Sequence, residues 1–156
     1  MQKFDISYKN NDFRFIYRAS AIIYNKDKTK VLLTTGADVD YYLLLGGKIK
    51  EQENSLDAVN REIEEEIGFK NINFKYSGVS EELIDKNGKF IQQIEVVYEG
   101  VYLGKVKEGI FDGLENDWCK YEWVDINNLE KYNLKPEELK RFIVNKQKIK
   151  NIKVGF

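Results

Sequence analysis

An α/β layered domain is the fold the sequence predicts, and three observations predict it. β-rich apolar runs lie on both sides of one strongly patterned helix, over residues 54–67. A second helical segment follows the only proline, Pro136, near the end. The 156 residues, 42% hydrophobic with nine Phe and ten Tyr, can bury one core of useful size. The expectation is therefore a single domain over residues 1–156.

The elements follow in order. Phe13–Tyr24 is apolar and β-rich, and Val31–Thr35 follows the turn Asn25-Lys26-Asp27-Lys28, which is a hairpin pattern. Tyr41–Leu45 reads as a short buried strand leading to Gly46-Gly47. Ile72–Leu83 reads as a strand with a bulge at Gly78. Asp85–Lys89 contains Asn-Gly, the strongest short hairpin signal, and Phe90–Leu103 is a long strand after it. Lys120–Val124 is a short strand and Asp125–Leu129 a brief helical turn. Pro136 opens a final helix through Lys148, with Leu139, Phe142, Ile143 and Ile149 inward. Lys146, Lys148 and Lys150 read as its solvated basic end.

The richest segment is GKIKEQENSLDAVNREIEEEIGF, from Gly47 to Phe69. Wound at about 100° per residue with Glu62 at zero, residues 54–67 put Glu66 near 40° and Glu65 near −60°. Val59, Ile63, Leu56 and Ile67 fall between roughly 60° and 140°, with Ala58 at the rim. One face thus packs on a core and the adjoining face carries three glutamates. Glu64 points away, as a solvated charge. Arg61 stands four residues before Glu65 and can pair with it. Asn54 or Ser55 caps the start, Glu53 and Asp57 suit the positive end of the dipole, and Gly68 suits a left-handed C-terminal cap. Gathered carboxylates repel one another unless a cation sits among them, and oxygen ligands of this kind suit Mg²⁺ or Mn²⁺. Paired glycines at 46 and 47 let backbone approach a metal or ligand closely.

Gly47, Glu53, Arg61, Glu62, Ile63, Glu65, Glu66, Gly68 and Phe69 together resemble the signature box of the Nudix (MutT-type) hydrolases, with all nine positions present. The resemblance implies an α/β/α sandwich with a mixed β-sheet between helices. It implies that Glu62, Glu65 and Glu66 are metal ligands, with the Gly46 carbonyl as another. Glu53 would orient the helix residues or a ligand water, and Arg61 would anchor the cluster. It also implies Mg²⁺-dependent hydrolysis of a pyrophosphate bond in a nucleoside triphosphate or small nucleotide conjugate, releasing a nucleoside monophosphate. Leu45 stands where the family usually has a proline, which loosens the turn but removes no ligand. The prolines that mark the ADP-ribose and NADH subgroups are absent, and the coenzyme A motif stops after Leu32-Leu33-Thr34.

Outside the box, Glu95 is the first candidate for a further ligand or general base, with outward strand carboxylate as its rival role. Glu81 and Glu82 come second and read first as outward. Arg18 interrupts an apolar run, so it needs a partner: substrate phosphate by resemblance, or a structural ion pair. Trp118, Tyr121 and Trp123 could stack on a base, although strand aromatics are more often core.

Composition excludes several classes. There is no histidine, which removes Ser-His-Asp, Cys-His and His-ligated metal chemistry. The single Cys119 makes neither an internal disulfide nor a zinc site. Net charge is −1, from 25 basic and 26 acidic residues, so nothing global argues for nucleic acid or a membrane surface. No apolar run spans a bilayer, and MQKFDISYKN lacks the apolar stretch of a signal peptide. The expected partner is a small nucleotide in the cytoplasm, with a homodimer left open. The competing reading is a catalytically silent Nudix-like nucleotide sensor, which typically loses box glutamates that this chain keeps.

Overall fold

The computed structural model describes residues 1–155. Nine strands form one mixed sheet: β1 Ser7–Lys9, β2 Phe13–Tyr24, β3 Lys30–Gly36, β4 Leu45–Lys48, β5 Lys75–Lys86, β6 Lys89–Val101, β7 Ile110–Asp112, β8 Cys119–Asp125 and β9 Lys150–Val154. Its order is β7-β8-β3-β2-β6-β5-β9, with β1 and β4 also pairing with β2. β2 runs parallel to β6 along its whole length, and β5 runs parallel to β9. The other edge of β2 is shared in sequence by β1 at 14–16, β4 at 18–21 and β3 at 23–24.

Strand alternation divides the core in two. Ala19, Ala21, Ile23, Val96 and Trp123 face helix α1 (Ser55–Ile67), meeting its Ala58, Val59 and Ile63. Ile22, Tyr24, Val97 and Val124 face the opposite way, onto a 3₁₀ turn at Ile126–Lys131 and helix α2 (Leu139–Asn145). The architecture is thus the expected α/β/α sandwich.

The β2 strand matches its expected bounds, and of the two candidate caps of α1 it is Asn54 that accepts the Asp57 N–H, at 2.9 Å, so the helix runs Ser55–Ile67. Gly68 closes α1 with φ 74°. Asn87 and Gly88 both have positive φ, the geometry of a tight hairpin turn, and the β5 bulge falls between Tyr76 and Gly78.

Several expectations are corrected. The strand expected at Tyr41–Leu45 is displaced: β4 is Leu45–Lys48 and includes both glycines, while Leu43 makes only a local bridge to Thr34. Without side chains, the glycine backbone lies directly against β2. Ile72 and Phe74 enter the core from irregular chain, and β5 begins later, at Lys75. Leu56 faces outward at the first turn of α1. The final helix starts at Leu139, because residues 136–140 form turns closed by Leu139 N–H to the Pro136 carbonyl and Lys140 N–H to the Glu137 carbonyl. It ends where Lys146 turns left-handed, at φ 51°. Lys150 then opens β9, so it does not form part of a helix end; β1, β7 and β9 were not anticipated.

Candidate active site

The Glu53–Glu66 segment is organised by Arg61. Its Nε donates to Glu53 Oε1 at 2.7 Å and its Nη2 to Glu53 Oε2 at 3.0 Å, a two-pronged pairing that only a guanidinium makes. Nη2 also reaches the Lys48 carbonyl at 3.1 Å, tying α1 to the end of β4. Nη1 donates to Glu62 Oε1 at 2.6 Å and to Glu65 Oε2 at 3.1 Å. Glu53 accepts the Lys50 N–H as well, and the Arg61 hydrogen bonds hold its carboxyl below the usual range.

Glu62 and Glu66 are pushed the other way. Burial raises Glu62, with Arg61 opposing and Glu65 adding repulsion. Burial, then the charge of Glu62, pushes Glu66 up to about 8, with Arg18 opposing. Glu66 is 9% exposed, and its Oε2 has no hydrogen-bond partner. Glu64 is exposed and pairs with Lys70.

The two glycines make this crowding feasible. A Cβ on Gly47 would run into the Glu62 carboxylate, and one on Gly46 into the Ala19 carbonyl. Gly46 also has φ 152°, which side chains rarely adopt.

These residues fit a divalent cation. The donors are hard carboxylates, and Glu66 has an orphaned buried oxygen beside a second raised carboxyl, a conflict that a cation resolves. Among the described residues no three acidic side chains converge on one point as they stand. Arg61 draws Glu62 and Glu65 toward itself.

Arg18 and Glu95 are not part of that cluster. They stand opposite each other on β2 and β6, with Nε 3.3 Å from Glu95 Oε1 but out of line for a hydrogen bond. Glu95 shares the face of Val97, away from α1, which removes it from the glutamates it was expected to join. Arg18 Nη2 donates to the Leu44 carbonyl, just before β4. Glu82, expected to point outward, is buried at 5% beside Glu95. Tyr121 and Trp123 are core, the latter stacked near Phe69 and Tyr102, and Trp118 is exposed.

One residue escaped the sequence reading. Glu115 lies in the loop after β7, whose Leu114 N–H donates to the Glu66 carbonyl at 2.8 Å. Its charge raises Glu62, Glu66 and Cys119 together. An aperiodic loop carries no signal that would place it there.

A family model described as the NUDIX domain matches residues 14–144. The mRNA-decapping enzyme subunit 2 of Saccharomyces cerevisiae is 28% identical over 128 residues, 80% of this chain. The chain spans only 12% of that relative's length. Among solved structures, the E. coli dihydroneopterin triphosphate pyrophosphohydrolase superposes with a TM-score of 0.65 at 17% identity, covering 83% of this chain and 92% of that one. A MutT NUDIX hydrolase from Burkholderia pseudomallei gives 0.61 at 20% identity, covering 86% and 98%. At these identities the structural likeness speaks for the fold.

Proposed function

Because the chain belongs to the NUDIX family, whose members hydrolyse pyrophosphate bonds with divalent ions, we propose that it cleaves a nucleoside triphosphate or a small nucleotide conjugate. The products are a nucleoside monophosphate and the phosphorylated remainder, and Mg²⁺ is the ion, with Mn²⁺ able to replace it. The observation that carries the reading is Glu66: a buried carboxylate with an unpartnered oxygen, beside Glu62, on a helix that keeps every box residue.

In this reading Glu62, Glu65, Glu66 and the Gly46 carbonyl hold the ion. When bound, it neutralises phosphate charge and makes a water nucleophilic near neutral pH. Glu53 and Arg61 set the positions of Glu62 and Glu65 through the hydrogen bonds already described. Gly46 and Gly47 leave room for backbone and carboxylate to meet substrate. Arg18, on the sheet face away from α1, still acts on Glu66 by its charge, which favours phosphate bound near the cluster.

The same reading treats residues 1–156 as one domain, cytoplasmic, acting on a small molecule and not on nucleic acid, as monomer or homodimer. A net charge of −1 supports it. Among the described residues no helix is long and apolar enough to cross a membrane.

The test is phosphate release with Mg²⁺, coupled to pyrophosphatase and alkaline phosphatase. The panel holds dNTPs, oxidised dNTPs, ADP-ribose, nucleotide sugars, dinucleoside polyphosphates and NADH. Turnover of one class that vanishes in Glu65→Gln supports the proposal. No turnover of any substrate, with nucleotide still bound, overturns it in favour of a silent sensor.

A further inference from the structure

A cavity of about 530 Å³ lies on the sheet face away from α1, floored by β2, β6 and β5. That volume falls within the usual 300–1,000 Å³ for small-molecule sites. Its walls are largely apolar, with Tyr41, Leu43, Leu44 and Pro136 among them, and the exposed Asp85, Lys86 and Lys135 line it too. Its floor is not apolar. Strand register lays down two rows: Arg18, Glu95 and Ser80 in one, and Ile16, Gln93 and Glu82 in the next. Glu82 and Glu95 are each 5% exposed, so two buried carboxylates face a single guanidinium.

Buried carboxylates in such a floor ask for hydrogen-bond donors. Glu95 is engaged by Arg18. Glu82 receives the Gln93 side-chain N–H at 2.6 Å on Oε2 and the Ser80 hydroxyl at 3.3 Å on Oε1. A carboxylate offers about four lone-pair sites, so each oxygen keeps one free. Burial, then the charge of Glu95, pushes Glu82 up to about 7, as expected of a carboxylate short of donors.

The cavity also adjoins the glutamate cluster. Arg18 lines it, donates to the Leu44 carbonyl one residue before β4, and exerts its charge on Glu66 as well as Glu82. A ligand whose phosphates lie by α1 can therefore place its other end here.

We propose that this cavity receives the nucleobase of the substrate, and that Glu82, positioned by Gln93 and Ser80, selects a guanine-type ring. This rests on the hydrolase reading and narrows its substrate class. The selection follows from donor patterns. One carboxylate with two free lone pairs matches two adjacent N–H donors, and guanine presents them as N1–H and N2–H₂. Adenine and cytosine set their one amino donor beside a ring-nitrogen acceptor, and uracil and thymine flank one N–H with carbonyls. Removing a donor from such a pair leaves the buried carboxylate unsatisfied.

Calorimetric titration of the full chain with GMP, IMP and AMP, in Mg²⁺, tests this without turnover. IMP differs from GMP only by the missing 2-amino group. GMP should bind at least about ten-fold tighter than IMP or AMP, the usual discrimination of a two-pronged pair. In Glu82→Gln, which keeps the shape but loses one acceptor, the three should fall within about three-fold of one another, with thermal unfolding confirming the fold. Equal binding of the three by the unaltered protein overturns the proposal, and this arm needs no variant. A GMP preference that survives Glu82→Gln overturns it too. The two readings fail separately: turnover without base preference removes this one alone, whereas GMP preference without any turnover supports this one and removes the hydrolase.

Discussion

Glu66 is held in conflict: its backbone is fixed in α1, and its carboxyl is buried beside Glu62 with one oxygen unpartnered. The sign of its linkage follows. Its carboxyl is raised from 4.5 to about 8 in the folded state, so folding favours the protonated form. That contribution is complete below about pH 4.5 and is lost as pH rises to about 8. In EDTA, Glu66→Gln should therefore raise Tm relative to the unaltered protein, by an increment that grows from pH 5 to pH 8. The same variant should lose most of the Mg²⁺-induced rise in Tm, since a ligand stabilises only the state that binds it. Scanning calorimetry decides it: an increment independent of pH removes the burial argument. Arg61 behaves oppositely, as a residue whose charge is fully used. Arg61→Lys keeps the charge but cannot fork, so turnover should fall by about 10- to 100-fold, the usual effect of disturbing groups that orient metal ligands. An Arg61→Lys enzyme with unchanged turnover would show that Glu53 and Glu62 hold their positions unaided. Helical spacing made the Arg61–Glu65 pair legible in the sequence, because i and i+4 share a face. The Arg61–Glu53 pair and the approach of Glu115 were not, because they depend on the path of loops.

The element that decides the site is β4, whose two glycines face different obstacles. At Gly46 an added Cβ meets backbone, the Ala19 carbonyl and Ser20, at φ 152°. At Gly47 it meets only the end of a side chain, the Glu62 carboxylate. Backbone cannot step aside and a side chain can. Gly46→Ala should therefore cost stability, lowering Tm by several degrees, whereas Gly47→Ala should keep Tm nearly unchanged and lose turnover by displacing Glu62. Unfolding curves and turnover measured on both variants test the split; equal Tm values would contradict it. Sequence periodicity delivered α1 to within a residue because cap, amphipathic face and terminal glycine agree. It misplaced β4, since glycines read as a turn although here they pair with β2. It lengthened α2, because Lys146, Lys148 and Lys150 resemble a basic helix end. What cut the helix short is the burial of Ile149 and the pairing of Lys150–Val154 with β5.

Across the whole molecule the layering followed from element order, but the strand order did not. Nothing in local spacing joins β2 to β6 or β5 to β9, because those pairings are settled by which apolar faces cover each other. The last of them matters most for integrity. Without β9, the outer edge of β5 would present unpaired N–H and C=O groups, an invitation to aggregate. β9 also buries Ile152 to 3% and supplies Val154 to the cavity beside Glu82. Ile152 belongs to the core of the α2 face, on the opposite side of the sheet from the glutamates of α1. Truncating it to alanine should cost about 2–5 kcal/mol, a large share of a typical 5–15 kcal/mol. For a chain of this size that lowers Tm by about 4–20 °C. Turnover at 20 °C should persist, since Ile152 touches none of the groups assigned to chemistry. Val144→Ala on α2, where the side chain is 43% exposed, should leave Tm within about 2 °C and serves as the comparison. If both variants unfold together, β9 does not hold the sheet edge. If Ile152→Ala abolishes turnover well below its Tm, the two faces are coupled through β5 and β6 more tightly than their separate cores indicate.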